Sequence, residues 1–159
     1  LEKHFLKREN IMALGTIFDI AGTGMNAQSL RLNTTASNLA NAQSASSSVD
    51  LVYRSRQPVF AAMHKQAMQQ ALSGDKAANE DDANAGVQVL GIVESDAPLQ
   101  RRYEPTHPKA DKDGYVYYPN VNVVEEMTNM ISASRSFQMN VEVMNSAKQM
   151  VQRVLTLGQ

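Results

Sequence analysis

The chain has 159 residues, 43% of them hydrophobic, and a net charge of −1, which fits one compact domain or a small one with extended arms and points to no nucleic acid or other polyanion partner. Cysteine is absent, so disulfides, thiol catalysis and thiolate metal sites are excluded while the redox compartment stays open. Aromatics are only 6%, Trp is missing, and no apolar run reaches the roughly 18 residues of a membrane span, so neither a large aromatic core nor direct membrane insertion is expected.

The chain opens with "LEKHFLKREN" followed by "IMALGTIF", which has the basic and apolar regions of a secretory signal in outline. Asp19 ends the apolar run and no small-residue cleavage site follows promptly, so that reading is set aside. The expectation is that Met12 is the natural start and that residues 1–11 are an upstream extension outside the fold. Residues 12–46 then form an N-terminal helical segment. Phe18, Met25, Leu32 and Leu39 recur every seven residues, with Ala21, Gln28, Thr35 and Ala42 at the intervening position. This a/d repeat, strong at a and weak at d, predicts a helix over 14–42. Gly15, Gly22 and Gly24 weaken its first turns, each by about 1 kcal/mol relative to Ala. "NAQSASSS" ends it, because Ser and Asn side chains compete for backbone hydrogen bonds.

Residues 47–120 read as a small β-rich domain. "LVYR", "PVFAAM", "VQVLGIVE", "LQRRY" and "GYVYY" are short β-prone runs, separated by prolines and by Asp113-Gly114, so about five strands are expected. Residues 64–86 interrupt the pattern. "HKQAMQQAL" suits two helical turns, and the stretch at about 73–86, including "SGDKAANEDDANAG", reads as a mobile acidic loop.

Residues 121–159 form the C-terminal helix. Asn122 and Glu125 make an N-x-x-E start with Asn as the cap, and Gly158 is placed to stop it. Val123, Met130, Phe137, Met144 and Val151 form one apolar seam. Met127, Ser134, Val141, Lys148 and Leu155 occupy the second heptad position, apolar in three of five cases. Five of the chain's nine methionines and only six charged residues lie between Val121 and Leu155. A second stripe through Val143, Ala147, Met150, Val154 and Leu157 implies more than one buried face. Such a helix suits surroundings made of other helices, since methionine adapts to inequivalent neighbours; an ordinary intramolecular coiled coil is the alternative. The fold class is therefore α+β: long terminal helices paired as a coiled coil, with the small β-rich domain inserted between them.

Chemistry is thin. His4, His64 and His107 have no metal-ligand spacing. "DKDG" at 111–114 lacks the remaining calcium ligands and reads as a turn. No nucleophile elbow or phosphate loop is present, and "GTG" at 22–24 lies inside the heptad pattern. Arg101 and Arg102 beside Tyr103 read as strand-surface or inter-subunit residues. No catalytic residue, metal or cofactor is assigned, and the chain is not expected to be an enzyme.

The two ends resemble a known family. "ASNLANAQS" at 36–44, which contains Asn38 and Asn41, and "PNVNVVEEMTNMISASRSFQMNVEVMNSAKQMVQRVLTLGQ" at 119–159 are similar to the terminal signatures of the bacterial flagellar rod and hook proteins. The resemblance covers 12–63 and 87–159. It implies a structural subunit of the proximal rod of the flagellar basal body, the drive shaft between motor and hook. It implies export through the flagellar type III apparatus without a cleaved signal, and assembly in the periplasm through the terminal helices. The implied partners are other copies of the chain, proximal and distal rod proteins, and the adaptor at the rod base. Phe18, Met25, Leu32, Leu39, Asn38, Asn41, Val123, Met127, Met130, Phe137, Val141, Met144, Val151 and Leu155 are the expected assembly residues. The competing readings are a generic coiled-coil adaptor or secretion chaperone, and a small enzyme using carboxylates such as Glu104 and Asp111.

Overall fold

The computed structural model describes residues 2–63 and 86–156, with the side chains of residues 2–14 and 155 left aside. The element order is α1 (Glu2–Asn41), a 3-10 turn (Val49–Leu51), β1 (Arg56–Met63), β2 (Gly86–Glu94), β3 (Gln100–Tyr103), β4 (Tyr115–Tyr118) and α2 (Val123–Thr156). Two long helices thus enclose a small β region in sequence, the α+β arrangement expected. The strands form two separate two-stranded sheets, β1–β2 and β3–β4.

Two boundaries differ from expectation. First, α1 begins at Glu2, so residues 2–11 are helical although they read as an extension outside the fold. Leu, Glu, Lys and Arg there are good helix formers, and lengthening an existing helix avoids the nucleation penalty. Second, "LVYR" is not a strand. Its first residue closes the 3-10 turn, and Tyr53 and Arg54 make side-chain hydrogen bonds, to Asn38 and to the Ser95 carbonyl, instead of a ladder. Four strands stand among the described residues where about five were expected. All of "HKQAMQQAL" and the expected acidic loop up to residue 85 lie outside the described residues, as do Leu157 and Gly158. Asn122 does cap α2: its Oδ1 accepts from the Val124 N–H (3.2 Å) and the Glu125 N–H (3.4 Å). Glu125 and Glu126 in the first turn also suit the positive end of the helix dipole.

The chain divides into two compact units that cut across the segments read from sequence. One comprises Leu1–Gln28, Phe60–Val89 and Arg135–Gln159; the other comprises Ser29–Val59 and Leu90–Ser134. In the first unit α1 and α2 come close. A Cβ on Gly24 would stand 2.9 Å from Asn140 Nδ2, so a glycine at this point permits a tight approach. Gly86, at φ +130°, lies against Thr23, whose Oγ1 accepts from the Val87 N–H (3.2 Å). Ala21, Ala27 and Ala147 are its buried apolar residues.

In the second unit Val52, Val116, Val121 and Ala133 are buried, with Pro119 fully enclosed. Strands β3 and β4 pair antiparallel, Gln100 opposite Tyr118 and Tyr103 opposite Tyr115. Their connection is a compact loop organised by Asp111, whose Oδ1 accepts from the Asp113 N–H (2.9 Å) and the Tyr115 N–H (2.8 Å). Gly114 takes φ +83° there, the left-handed region in which glycine carries no steric penalty. "DKDG" is thus a hydrogen-bonded turn. Ser46 bridges the outer side of β4 by exchanging hydrogen bonds with Tyr117 (2.9 and 3.0 Å).

Candidate assembly interface

The large apolar seam residues of the heptads are half-buried within the chain. This holds for Phe18, Met25, Leu32 and Leu39 on α1, and for Val123, Met130, Phe137, Val141, Met144 and Val151 on α2. Met127 is 50% exposed, and the side chain of Leu155 lies outside the description. The most deeply buried positions of α2 run one residue earlier than the second heptad position read from sequence. They are Glu126, Ala133 and Ala147, with Asn140 completing the seven-residue spacing. On α1 the buried positions are Ala21, Ala27, Thr34, Thr35 and Asn38. The in-chain seam is therefore small and polar, flanked by the large side chains. A periodicity reading weights bulky apolar residues and passes over such a seam. The recurring small or polar residue every seven positions was the signal available for it.

A polar junction closes this seam in the second unit. Asn38 is 1% exposed and satisfies every bond its amide can make. Its Oδ1 accepts from the Arg56 N–H (2.9 Å) and the Tyr53 hydroxyl (2.8 Å); its Nδ2 donates to the Arg56 carbonyl (2.8 Å) and to Glu126 Oε1 (2.9 Å). The side chain thus meets the Arg56 backbone as a neighbouring strand would, at the first residue of β1. Arg31 donates to Asn129 Oδ1 (2.9 Å). Asn120 ties the chain further, its Oδ1 accepting from the Ser55 N–H (2.8 Å) and its Nδ2 donating to the Ser95 and Ala97 carbonyls (3.2 and 2.9 Å). Asn41 is half-buried and turns back to the Ser37 carbonyl (2.8 Å), closing the last turn of α1. Burial raises the pKa of the Glu126 carboxyl from its ordinary value. The Asn38 hydrogen bond opposes this, Glu125 adds to it, and Ser55 and Arg31 oppose it. Asn38 came from the sequence; Glu126, Tyr53, Ser55 and Asn120 did not, because the bonds that define them span up to 88 positions of chain.

Other positions of α2 have the reverse character. Val124, Met127, Ile131, Met139, Val143, Met150 and Val154 are between 43% and 73% exposed. Along about 45 Å of helix they make a broken apolar strip, interrupted between Ile131 and Met139 and winding toward the buried row, since Val154 stands seven residues after Ala147. No helix of the described residues is long and apolar enough to cross a membrane.

The carboxylates named for an enzyme reading are occupied. Glu104 accepts from the Tyr118 hydroxyl (3.2 Å), and Asp111 organises its turn and meets Tyr117. An open groove of about 570 Å³ beside the 3-10 turn is lined by Asp50, Tyr53, Arg54, Arg56, Glu94 and Lys109, among others, and includes neither. His107 Nδ1 accepts from the Lys109 N–H (3.1 Å) within a turn.

Two family models match: "Flagella basal body rod protein" over residues 18–43 and "Flagellar basal body rod FlgEFG protein C-terminal" over 112–157. The chain is 49% identical over 148 residues to the flagellar basal-body rod protein FlgC of Salmonella typhimurium, 93% of this chain and 100% of that one. The chain belongs to the FlgC family. The FlgC of Yersinia enterocolitica is 45% identical, also over 93% of this chain and 100% of its own length. That of Borreliella burgdorferi is 36% identical over 93% and 99%. Asn38 lies in the first matched segment and all of α2 in the second.

Proposed function

We infer that this chain is a structural subunit of the proximal rod of the flagellar basal body, polymerising through its terminal helices into the shaft between motor and hook. Membership of the FlgC family gives the rod role, and the observation that carries the mode of assembly is the apolar strip on α2. A tube of subunits needs non-closing contacts, so each subunit must offer surfaces beyond those it covers itself. The half-buried seam residues from Phe18 to Leu39 and from Val123 to Val151 lie beside that strip and complete the interface. In this reading α1 and α2 are the assembly arms, and residues 47–120 carry the β elements. The partners are further copies, the other rod proteins and the rod-base adaptor, met after passage through the flagellar export apparatus without a cleaved signal. The role is structural, with no catalysis.

The decisive experiment places a charge on the strip. Met139→Asp lies on an exposed position, so the free subunit keeps its helix content by circular dichroism. A buried unpaired carboxylate is strongly unfavourable, so basal bodies purified from the variant strain lack the subunit and the cells do not swim. Normal incorporation of Met139→Asp would refute assembly through this face.

A further inference from the structure

Strand β3 presents an open edge of defined chemistry. Its four residues, Gln100 to Tyr103, are all exposed, and β4 is its only strand neighbour among the described residues. Tyr117 turns its backbone groups to Ser46, so the Arg101–Tyr117 pair is of the type without mutual hydrogen bonds. The N–H and C=O of Arg101 and Tyr103 therefore point away from β4. Such a row of unpaired groups is a template for an added strand, which natural proteins cover or blunt.

The side chains beside this edge are held in place. The Arg101 guanidinium stacks on Tyr115 at 4.3 Å and that of Arg102 on Tyr118 at 4.7 Å. Tyr103 meets Tyr115 edge-on at 5.2 Å. Neither arginine has a carboxylate partner among the described residues, in contrast to Arg56, which pairs with Glu94 at 2.9 Å. At an open strand edge, two fixed cations without a carboxylate partner, Arg102 also donating to Gln100 Oε1 (3.3 Å), fit a strand with a carboxylate at its end. Arginine and tyrosine are also the residue types that dominate binding energy at protein interfaces.

This chain holds a strand of that kind. The second half of β2 exposes Leu90 (64%), Ile92 (50%) and Val93 (56%). It ends in Glu94, which already pairs with Arg56, and exposed Asp96 just beyond supplies the carboxylate for the arginines. β2 has only β1 as a strand neighbour among the described residues. β1 is a poor alternative, since Pro58 lacks an N–H. Pairing of β3 with itself across a two-fold axis would set arginines against arginines, which like-charge repulsion disfavours. We propose that in the assembled protein the β2 edge of one copy adds to the β3 edge of the next, a strand-addition contact. Its two sides differ, so it is a head-to-tail contact that repeats from copy to copy, and the rotation it imposes decides between a ring and a helix. This contact presupposes the rod-subunit reading and is separate from the helical strip.

The chain has no cysteine, so single substitutions give unambiguous cross-links. One strain makes Gln100→Cys, a second makes Ile92→Cys, and a third makes both variants as separate chains. Purified basal bodies are treated with a short bifunctional thiol reagent. The expected result is a cross-linked dimer of this chain in the third strain only. Absence of that dimer, while both variants are present in the basal bodies, overturns the contact and leaves the rod reading intact. A dimer from Gln100→Cys alone shows symmetric β3 pairing and also overturns it. Absence of the unsubstituted chain from basal bodies would defeat the rod reading itself.

Discussion

The polar junction around Asn38 and the outer strip of α2 invert the usual arrangement. At the junction an amide, a carboxylate and a hydroxyl are buried, with Asn38 at 1% exposure. On the strip Met139 is 64% exposed and Val124 73%. At the junction, beside small apolar residues such as Ala133, burial goes to groups that must be positioned, because each needs a partner of defined geometry. Apolar area is left outside, where a neighbour can cover it. On the proposed assembly, the difference means that the isolated chain is an incomplete core, with geometry fixed within and part of its apolar surface left for a neighbour to cover.

The largest effect should come from the strip. Ile131→Asp is expected to lower incorporation into basal bodies by a hundredfold or more, read by immunoblot, with little change in the urea midpoint of the free subunit. A large loss of free-subunit stability would mean that Ile131 supports the subunit's own fold and would dissolve the contrast. The junction should behave in the opposite way. Asn38→Ala leaves the Arg56 backbone groups and Glu126 without their partner, and an unmet buried group costs about 1–3 kcal/mol. A loss of roughly 3 kcal/mol is expected by urea denaturation, and Asn38→Asp should be worse because it faces Glu126 with a second carboxylate.

Helix approach gives a smaller and sharper test. Gly24→Ala gains about 1 kcal/mol of helix propensity but sets a methyl 2.9 Å from Asn140 Nδ2. The single variant should be near neutral by thermal melting. Gly24→Ala with Asn140→Ala should be more stable than the sum of the two changes made separately. Simple additivity would mean the two helices do not meet there.

The smallest effect is in pH. Glu126 has its pKa raised by burial, so the folded state favours the protonated carboxyl more than the unfolded chain does. Stability from this group is fully present below the ordinary carboxylate value of about 4.3 and is lost as pH rises through the raised folded value. Arg31 and Glu125 are the charged groups that act on it, in opposite directions. Urea midpoints of the unsubstituted chain should fall across that interval more than those of Glu126→Gln, which keeps an acceptor for Asn38. Equal slopes would locate the pH dependence elsewhere.

Much was legible in the sequence. Seven-residue spacing of Phe18 to Leu39 and Val123 to Val151 announced the helices, the Asn122 cap marked where α2 starts, and "DKDG" marked its turn. These signals are local: backbone geometry and capping act within one or two turns, so the residue order alone determines them. The terminal motifs likewise determined the family. Tertiary structure alone decided which heptad position is innermost, the Glu126–Ala133–Ala147 row in place of the one containing Met127, and that Tyr53 and the backbone of Arg56 close on Asn38, with no strand over "LVYR". Both depend on groups far apart in the chain. Whether a carboxylate is buried or a methionine is bare is set by what the fold brings against it, and periodicity does not encode that.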